Sequence, residues 1–492
     1  MDENQLLLLR DLQKENKWWS DGQAPPELVR KFKRADFFSY RNLIEGDYPN
    51  IVVGPRRIGK STVLYQLIDF LITSKKIPPN RIIFLSLERP FFGMVKNPIK
   101  NSLQIFEEAI LKEPLESLSK PIYIFLDEAS RNLDWALQVK EYFDKKYKMK
   151  FFITGSSTPA LFAKSSESLV GRHNLITMLP LKFSDVVRMA NDPKTDELLN
   201  QLSKIVLRTY FLAAIKQNNP KPFADALQSI YVQVGSEGET LLQITLNKYL
   251  LRGGYPEFYD KNTSWAEASK IMREAYFDAI ISYDMIRVFN SRNPDKIKAL
   301  YTFLATTTAQ QVNLSTLCGK LGISKTALNE YLSQLQETHL IKIMRPYKKN
   351  KLKIGNDIKK IYVGDIGLRN SVLGVTEDEI NSTTLLGHLA ETAAQDHTLR
   401  LKFNVDKEHK PETFFWKSDK KEVDIIIEIS KKTIPIESKY SEQIKSEDSQ
   451  ELKAFIRDHG SPFGILLTKK SFHFDEKSKV ISIPLWLYLL MC

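Results

Sequence analysis

Cysteine is almost absent: Cys318 and Cys492 are the only two in 492 residues. So few, so far apart, suggest neither a disulfide framework nor a zinc cluster, which fits a reducing cytoplasm. Long apolar runs are missing as well. The longest, such as the one ending at Met491, fall far short of the roughly 20 residues that cross a bilayer, so no membrane association is expected. The opening Met1-Asp2-Glu3-Asn4 is acidic where a secretory leader would be basic, and the Leu6–Leu9 run is too short for a leader's apolar segment. No internal repeat and no long low-complexity tract is visible. These absences describe a soluble, cytoplasmic chain.

What the chain does have is length. A single hydrophobic core does not serve 492 residues, and domains of about 100–200 residues imply roughly three. Apolar residues at 42% and charged residues at 26% are ordinary for a globular protein. Lys plus Arg number 71 against 59 Asp plus Glu, a formal net charge of +12. That surplus suits a polyanionic partner, most simply nucleic acid, or a basic surface kept for solubility.

Residues 1–45 read as a helical, partly aromatic lead-in carrying Trp18, Trp19, Phe37 and Phe38. From about 46 to 190, short β-rich runs (Ile51–Val53, Ile82–Leu87, Ile122–Leu126, Phe151–Thr154) alternate with helical periodicity. That alternation predicts a parallel sheet covered by helices. Residues 191–290 are mostly helical in pattern. Residues 291–375 hold short helices followed by a Lys-rich hairpin pattern, and 376–492 return to mixed α and β.

The strongest chemical signal is Gly54-Pro55-Arg56-Arg57-Ile58-Gly59-Lys60-Ser61, which fits G-x-x-x-x-G-K-[ST] without a mismatch. A β-branched run precedes it and an amphipathic helix from Thr62 follows. The glycines let backbone N–H groups curl around phosphates at a helix N-terminus. Lys60 would reach the β and γ phosphates of ATP, and Ser61 would ligate magnesium. Arg57 and Thr62 complete the contact set expected of the loop. Further on, the apolar run Ile122–Leu126 ends in Asp127-Glu128, where Asp127 would hold magnesium and Glu128 would polarise the attacking water. Thr154 and Ser156, at the end of another apolar run, are candidates to touch the γ-phosphate or that water, or they mark a plain strand exit. Arg172 is a candidate arginine finger for a neighbouring subunit's nucleotide.

Taken together, Gly54–Ser61, Leu126-Asp127-Glu128, Ile153–Ser157, Gly171-Arg172 and Pro180-Leu181-Lys182-Phe183 resemble a widespread archaeal and bacterial AAA+-like ATPase family. Leu251-Arg252-Gly253-Gly254-Tyr255-Pro256 resembles that family's lid-region signature. The resemblance implies an α/β chain: a P-loop (ASCE/AAA+-like) parallel-sheet core over 46–190, a helical lid over 191–290, a winged helix over 291–375, and a C-terminal restriction-endonuclease-like domain over 376–492. It also implies a homo-oligomer, often a ring. The longer polar helical segment at 190–245 departs from the family pattern and leaves the lid geometry open.

Leu314–Leu328 looks like a helix-turn-helix, with Gly322 in the turn and Ser324 as N-cap. Leu328, Leu332 and Leu335 would face the core, leaving Lys325, Thr326 and Asn329 at the end that enters a major groove. Lys342, Arg345, Lys348, Lys349, Lys351, Lys353, Lys359 and Lys360 surround Gly355 and read as a basic wing suited to phosphate contacts. Nearer the C-terminus, a hairpin through the Ser430-Lys431-Lys432 turn would set Asp424 beside Glu437, with Lys439 on the same face as Glu437. This pattern resembles the PD-(D/E)xK nuclease superfamily, in which Glu391 would join Asp424 and Glu437 in holding Mg2+ or Mn2+ and Lys439 would orient the water.

The expected activity is therefore an ATP-hydrolysing, DNA-binding motor that translocates on or remodels DNA, branched DNA included, with a metal-dependent nuclease domain attached. One alternative is a nucleotide-gated signalling or defence switch that docks a protein partner through its C-terminal domain. Another is a nuclease for which ATP is only a licence.

Overall fold

The computed structural model describes every residue except 1–2, 90–91, 93–94, 133, 157–160, 162–170, 191–198, 200–206, 261–262, 290, 292, 349–357 and 419–420. Its chain divides into two compact units, one of residues 1–179 with a short piece at 286–290, the other of 180–285 and 291–492.

The first unit is built on a five-stranded parallel sheet. Its strands are β1 (Asn50–Val53), β2 (Ile82–Ser86), β3 (Ile122–Asp127), β4 (Met149–Gly155) and β5 (Asn174–Thr177), in the order β2-β3-β4-β1-β5. The apolar runs are nearly unbroken because both faces are covered, as parallel sheets require. One face places Ile51, Val53, Ile83, Leu85, Ile124 and Leu126 in a single core cluster with Leu8 and Leu12 of helix α1 (Glu3–Glu15). On the other face, Tyr65 of helix α2 (Lys60–Thr73) lays its ring 4.7 Å from that of Phe84. The strand read between the two nucleotide motifs, β2, lies outside β3 at the sheet edge, and it is β4 that stands between β1 and β3.

The aromatic lead-in closes that edge. Asn16 accepts from the Phe84 N–H at 2.6 Å and donates to the Phe84 carbonyl at 3.0 Å, as a neighbouring strand would. Both Trp18 and Trp19 donate their indole N–H to the Ile82 carbonyl, at 3.1 and 2.8 Å. Side chains thus satisfy backbone groups that an open edge would leave for another chain.

The second unit is organised by one nine-stranded mixed sheet of β6 (Gln311–Asn313), β7 (Ile341–Pro346), β8 (Ile358–Val363), β9 (Phe414–Ser418), β10 (Lys421–Ile429), β11 (Lys432–Ser438), β12 (Gly464–Thr468), β13 (His473–Asp475) and β14 (Val480–Pro484), ordered β13-β14-β12-β11-β10-β9-β7-β8-β6. Helix α3 (Lys221–Arg252) bends at Gly235 and ends at Gly253-Gly254. A β-carbon on Gly253 would stand 2.3 Å from an Asp365 carboxylate oxygen, and one on Gly254 2.5 Å from the Leu181 carbonyl. Asp365 accepts from the Gly254 N–H at 2.8 Å and, as N-cap of helix α4 (Ile366–Leu373), from Leu368 N–H at 2.9 Å. The Arg-Gly-Gly-Tyr-Pro signature is therefore a packing joint between two helices, where side chains would collide.

Strand β6 (Gln311–Asn313), helices α5 (Leu314–Leu321) and α6 (Lys325–Glu337), and the hairpin β7 (Ile341–Pro346) and β8 (Ile358–Val363) follow along the chain. Ser324 caps α6 by accepting from Ala327 N–H at 3.1 Å, and Asn313 caps α5 through Thr316 N–H at 3.1 Å. Each cap supplies about 1 kcal/mol. Leu328, Leu332 and Leu335 are buried while Lys325, Thr326 and Asn329 are exposed. Strand β7 then pairs in parallel with β9 (Phe414–Ser418), Arg345 opposite Phe414. The hairpin thereby continues the sheet formed by β9, β10 (Lys421–Ile429), β11 (Lys432–Ser438), β12 (Gly464–Thr468), β13 (His473–Asp475) and β14 (Val480–Pro484). No described helix is long and apolar enough to cross a membrane.

Candidate functional site

Two clusters of charge stand at the sites the sequence singles out, one in each unit.

In the first unit, the loop between β1 and α2 brings Lys60 to the first turn of the helix, almost fully buried. Gly59 sits at φ 93°, a conformation that favours glycine. The Lys60 ammonium donates to the carbonyls of Gly54 and Pro55, both at 3.0 Å, and lies 3.3 Å from Glu128 Oε1. Ser61 Oγ donates to Asp127 Oδ2 at 2.7 Å. This hydroxyl and carboxylate converge from the helix start and from the end of β3, the donor set that suits a magnesium ion carried by a triphosphate. Burial and then the neighbouring Glu128 raise the Asp127 carboxyl above its usual range, against the opposing pull of the Thr154 and Ser61 hydroxyls and Lys60.

Thr154 has a narrower part than a free sensor. Its hydroxyl donates to Asp127 Oδ1 at 2.6 Å and accepts from the Glu128 N–H at 3.0 Å. It fixes the acidic turn from the neighbouring strand, and Ser156 follows two residues later, also buried. Glu128 itself lies at φ 50°, left-handed backbone that a glutamate rarely adopts and that is held here by its surroundings. Arg57 and Thr62 lie on the loop and the first turn of α2, Arg57 exposed and also at positive φ. Arg172 is exposed, 2.8 Å from Asp144, just before the start of β5. The start of a parallel strand is the edge away from the P-loop, so Arg172 stands at the opposite end of the sheet from the P-loop of its own chain.

One supporting residue escaped the sequence. Arg34, buried, donates to the carbonyls of Ile58 at 2.9 Å and Leu179 at 2.6 Å and pairs with Asp36. It anchors the back of the phosphate loop from the lead-in, across a separation no local motif reveals.

Residues 47–187 match the model described as AAA domain. These residues form an AAA-type P-loop ATPase domain. Residues 243–379 match a domain of unknown function, DUF8612, and 386–488 another, DUF4143. An uncharacterized protein of Haemophilus influenzae is 24% identical over 67% of this chain and 70% of its own length. One from Methanocaldococcus jannaschii is 23% identical over 67% of this chain and 63% of its own, and one from Mycobacterium tuberculosis 22% identical over 66% and 56%. Thus the match spans less than two thirds of the length of the last two relatives. Among solved structures, the ORC2 protein of Aeropyrum pernix aligns over 73% of this chain and 98% of its own at 10% identity, with a TM-score of 0.35.

The second cluster lies in the other unit. Helix α7 (Thr383–Val405) carries Glu391, β10 carries Asp424, and β11 carries Glu437. Asp424 and Glu437 stand side by side: Glu437 accepts from the Asp424 N–H and Asp424 Oδ2 from the Ser438 N–H, both at 3.1 Å. Lys439 Nζ lies 2.9 Å from Glu437 Oε1. The expectation that Glu391, Asp424 and Glu437 hold a divalent ion meets a different arrangement. Lys360 of β8 reaches into the cluster, its ammonium 2.7 Å from Glu391 Oε1, 2.8 Å from Asp424 Oδ1 and 3.1 Å from Glu422 Oε1. Tyr362, two residues along the same strand, donates to Glu391 Oε1 at 2.7 Å. Burial alone would lower the Lys360 ammonium, but Asp424, Glu391 and Glu422 outweigh it and hold it well above its usual value. Among the described residues, no group of three or more His, Cys, Asp or Glu side chains is arranged to hold a metal ion.

This changes the wing as well. Lys360 is buried at 2% exposure rather than displayed, and Lys342 pairs with Asp396 beneath the surface. Arg345 is exposed, and residues 349–357, with Lys349, Lys351, Lys353 and Gly355, lie outside the described residues.

Proposed function

We propose that this chain is a magnesium-dependent ATPase that couples nucleotide turnover to work on DNA. The observation that carries the catalytic half is the 2.7 Å approach of Ser61 to Asp127 beside the buried Lys60. Magnesium bound there would neutralise phosphate charge as the terminal phosphoryl group leaves. Lys60 would exchange two loop carbonyls for phosphate oxygens, and the N–H groups at the start of α2 would meet the remaining charge. Released from Lys60, Glu128 becomes the group placed to take a proton from water, its turn held by Thr154. Arg172 would act in trans, which requires a homo-oligomer, in which a ring would let each subunit complete the next.

The DNA half is supported by the net charge of +12 and by the exposed Lys325, Thr326 and Asn329 at the start of α6. The inward Lys342 and Lys360 favour a second reading, a nucleotide-gated switch that docks a protein partner through its C-terminal region, because they withdraw charge from the wing. Phosphate release measured at low salt with and without duplex and junction DNA separates the two. Stimulation by DNA, diminished by K325A/N329A, supports motor or remodelling work. Slow turnover with retained nucleotide and no gel retardation of DNA would leave the switch. In either case inactive R172A chains should regain turnover when mixed with inactive K60A chains.

A further inference from the structure

The PD-(D/E)xK-like cluster has a cation, and the protein supplies it. We propose that Lys360 is the resident cation of the Glu391–Glu422–Asp424 cluster and that divalent-metal binding there and seating of β8 exclude each other.

Side chains alternate along β8, so Lys360 and Tyr362 share a face, and both reach Glu391. The register is pinned on both sides: Lys360 stands opposite Gln311 of β6 and Met344 of β7. A slip of one residue would turn Lys360 away from the carboxylates and present Ile361 or Lys359 in its place, so the register decides which side chain they meet. The ammonium therefore arrives by sheet pairing.

The oxygens nearest the ammonium are already engaged. Asp424 Oδ1 and Glu391 Oε1 face the ammonium, Asp424 Oδ2 accepts from Ser438 N–H, and Glu422 Oε2 accepts from Gln311 at 2.6 Å. A divalent ion bound to Asp424 Oδ1 and Glu391 Oε1, at about 2.0–2.6 Å from each, would stand where Nζ now stands. Two cations cannot share that volume, and a buried lysine held by three carboxylates does not leave without a replacement charge. With β8 seated, these residues act as a structural joint that ties the winged-helix hairpin to α7 and β10. Nuclease chemistry through this cluster would need β8 to withdraw.

Manganese binding to the nucleotide-free full-length protein, followed by calorimetry and by the spin-resonance signal of free Mn2+, tests this without reference to ATP turnover. Wild type should take up no Mn2+ at these carboxylates. K360A should gain one ion per chain, with a thermal midpoint that rises as Mn2+ is added, and K360A/D424N should lose it again. A wild-type site that D424N removes would overturn the exclusion. A folded K360A that gains no ion would overturn the assignment of the lysine as a cation's stand-in. K360M keeps the stem of the side chain and serves if K360A does not fold, and the wild-type measurement decides the exclusion by itself.

Discussion

Lys60 and Lys360 are both buried, and both face carboxylates, yet their surroundings assign them opposite work. Lys60 is held by two carbonyls and one glutamate at 3.3 Å, beside a helix N-terminus whose N–H groups point at an anion's place. Its partners are weak enough to be exchanged for phosphate. Lys360 is held by three carboxylates within 3.1 Å, with a tyrosine hydroxyl on one of them. A lysine held by exchangeable carbonyls beside oriented amides is a binding group, whereas a lysine saturated by acids is a joint. The difference lies in what else the backbone presents, and the type of residue does not reveal it.

The two lysines should differ most in turnover. K60A should reduce phosphate release by roughly 10²-fold or more, because a charge aimed at the transition state is removed. E128Q should lose roughly 10²–10⁴-fold while retaining nucleotide, since a base is lost and no phosphate contact with it. Phosphate-release kinetics paired with fluorescent-nucleotide titration distinguishes the two. If E128Q releases the nucleotide as readily as K60A, the roles assigned to them are reversed or absent. K360A should leave nucleotide affinity in place.

Stability is where Lys360 should register. Removing one member of a buried ion pair typically costs about 3–5 kcal/mol, because the remaining charges stay buried without a partner. Chemical unfolding of K360M should show a loss of that order. Adding D424N, E391Q and E422Q to K360M should recover most of it, since a neutral cluster of similar shape needs no counter-ion. Should the neutralised variant be no more stable than K360M alone, Lys360 contributes by packing and the charge argument fails.

Much of the nucleotide site was legible because its parts are local. Gly54–Ser61 spans one loop, Asp127 and Glu128 end one strand, and the apolar runs that carry them announce their own conformation. Asp424 and Glu437 were legible for a related reason, that a short turn and a period of two put them side by side. Lys360 was not. The period of two separates it from Lys359, but only the parallel pairing of β7 with β9 decides that the Lys360 face meets acids rather than water. Arg34 and Asn16 were hidden likewise, since each serves backbone groups 24 and 68 residues away, respectively. The family-like Arg-Gly-Gly-Tyr-Pro signature was visible as a pattern, whereas its cause, Asp365 pressed against Gly253 and the Leu181 backbone against Gly254, exists only in the folded chain.

The smallest effect concerns protons. One ammonium cannot balance three carboxylates, and burial, followed by the charge of Asp424, pushes the Glu391 carboxyl from 4.5 up to about 7. Its folded value lies above its unfolded one, so between about pH 4.5 and 7 the folded protein holds a proton that the unfolded chain has released. Stability from this group is therefore fully present below that window and falls as pH rises through it. E391Q, which cannot ionise, should remove that slope, by on the order of 2 kcal/mol across the window. Unfolding midpoints of wild type and E391Q at pH 5 and pH 7.5 provide the measurement. If the two proteins change in parallel, Glu391 is already ionised at pH 5 and Lys360 balances the cluster more completely than three acids around one ammonium should allow.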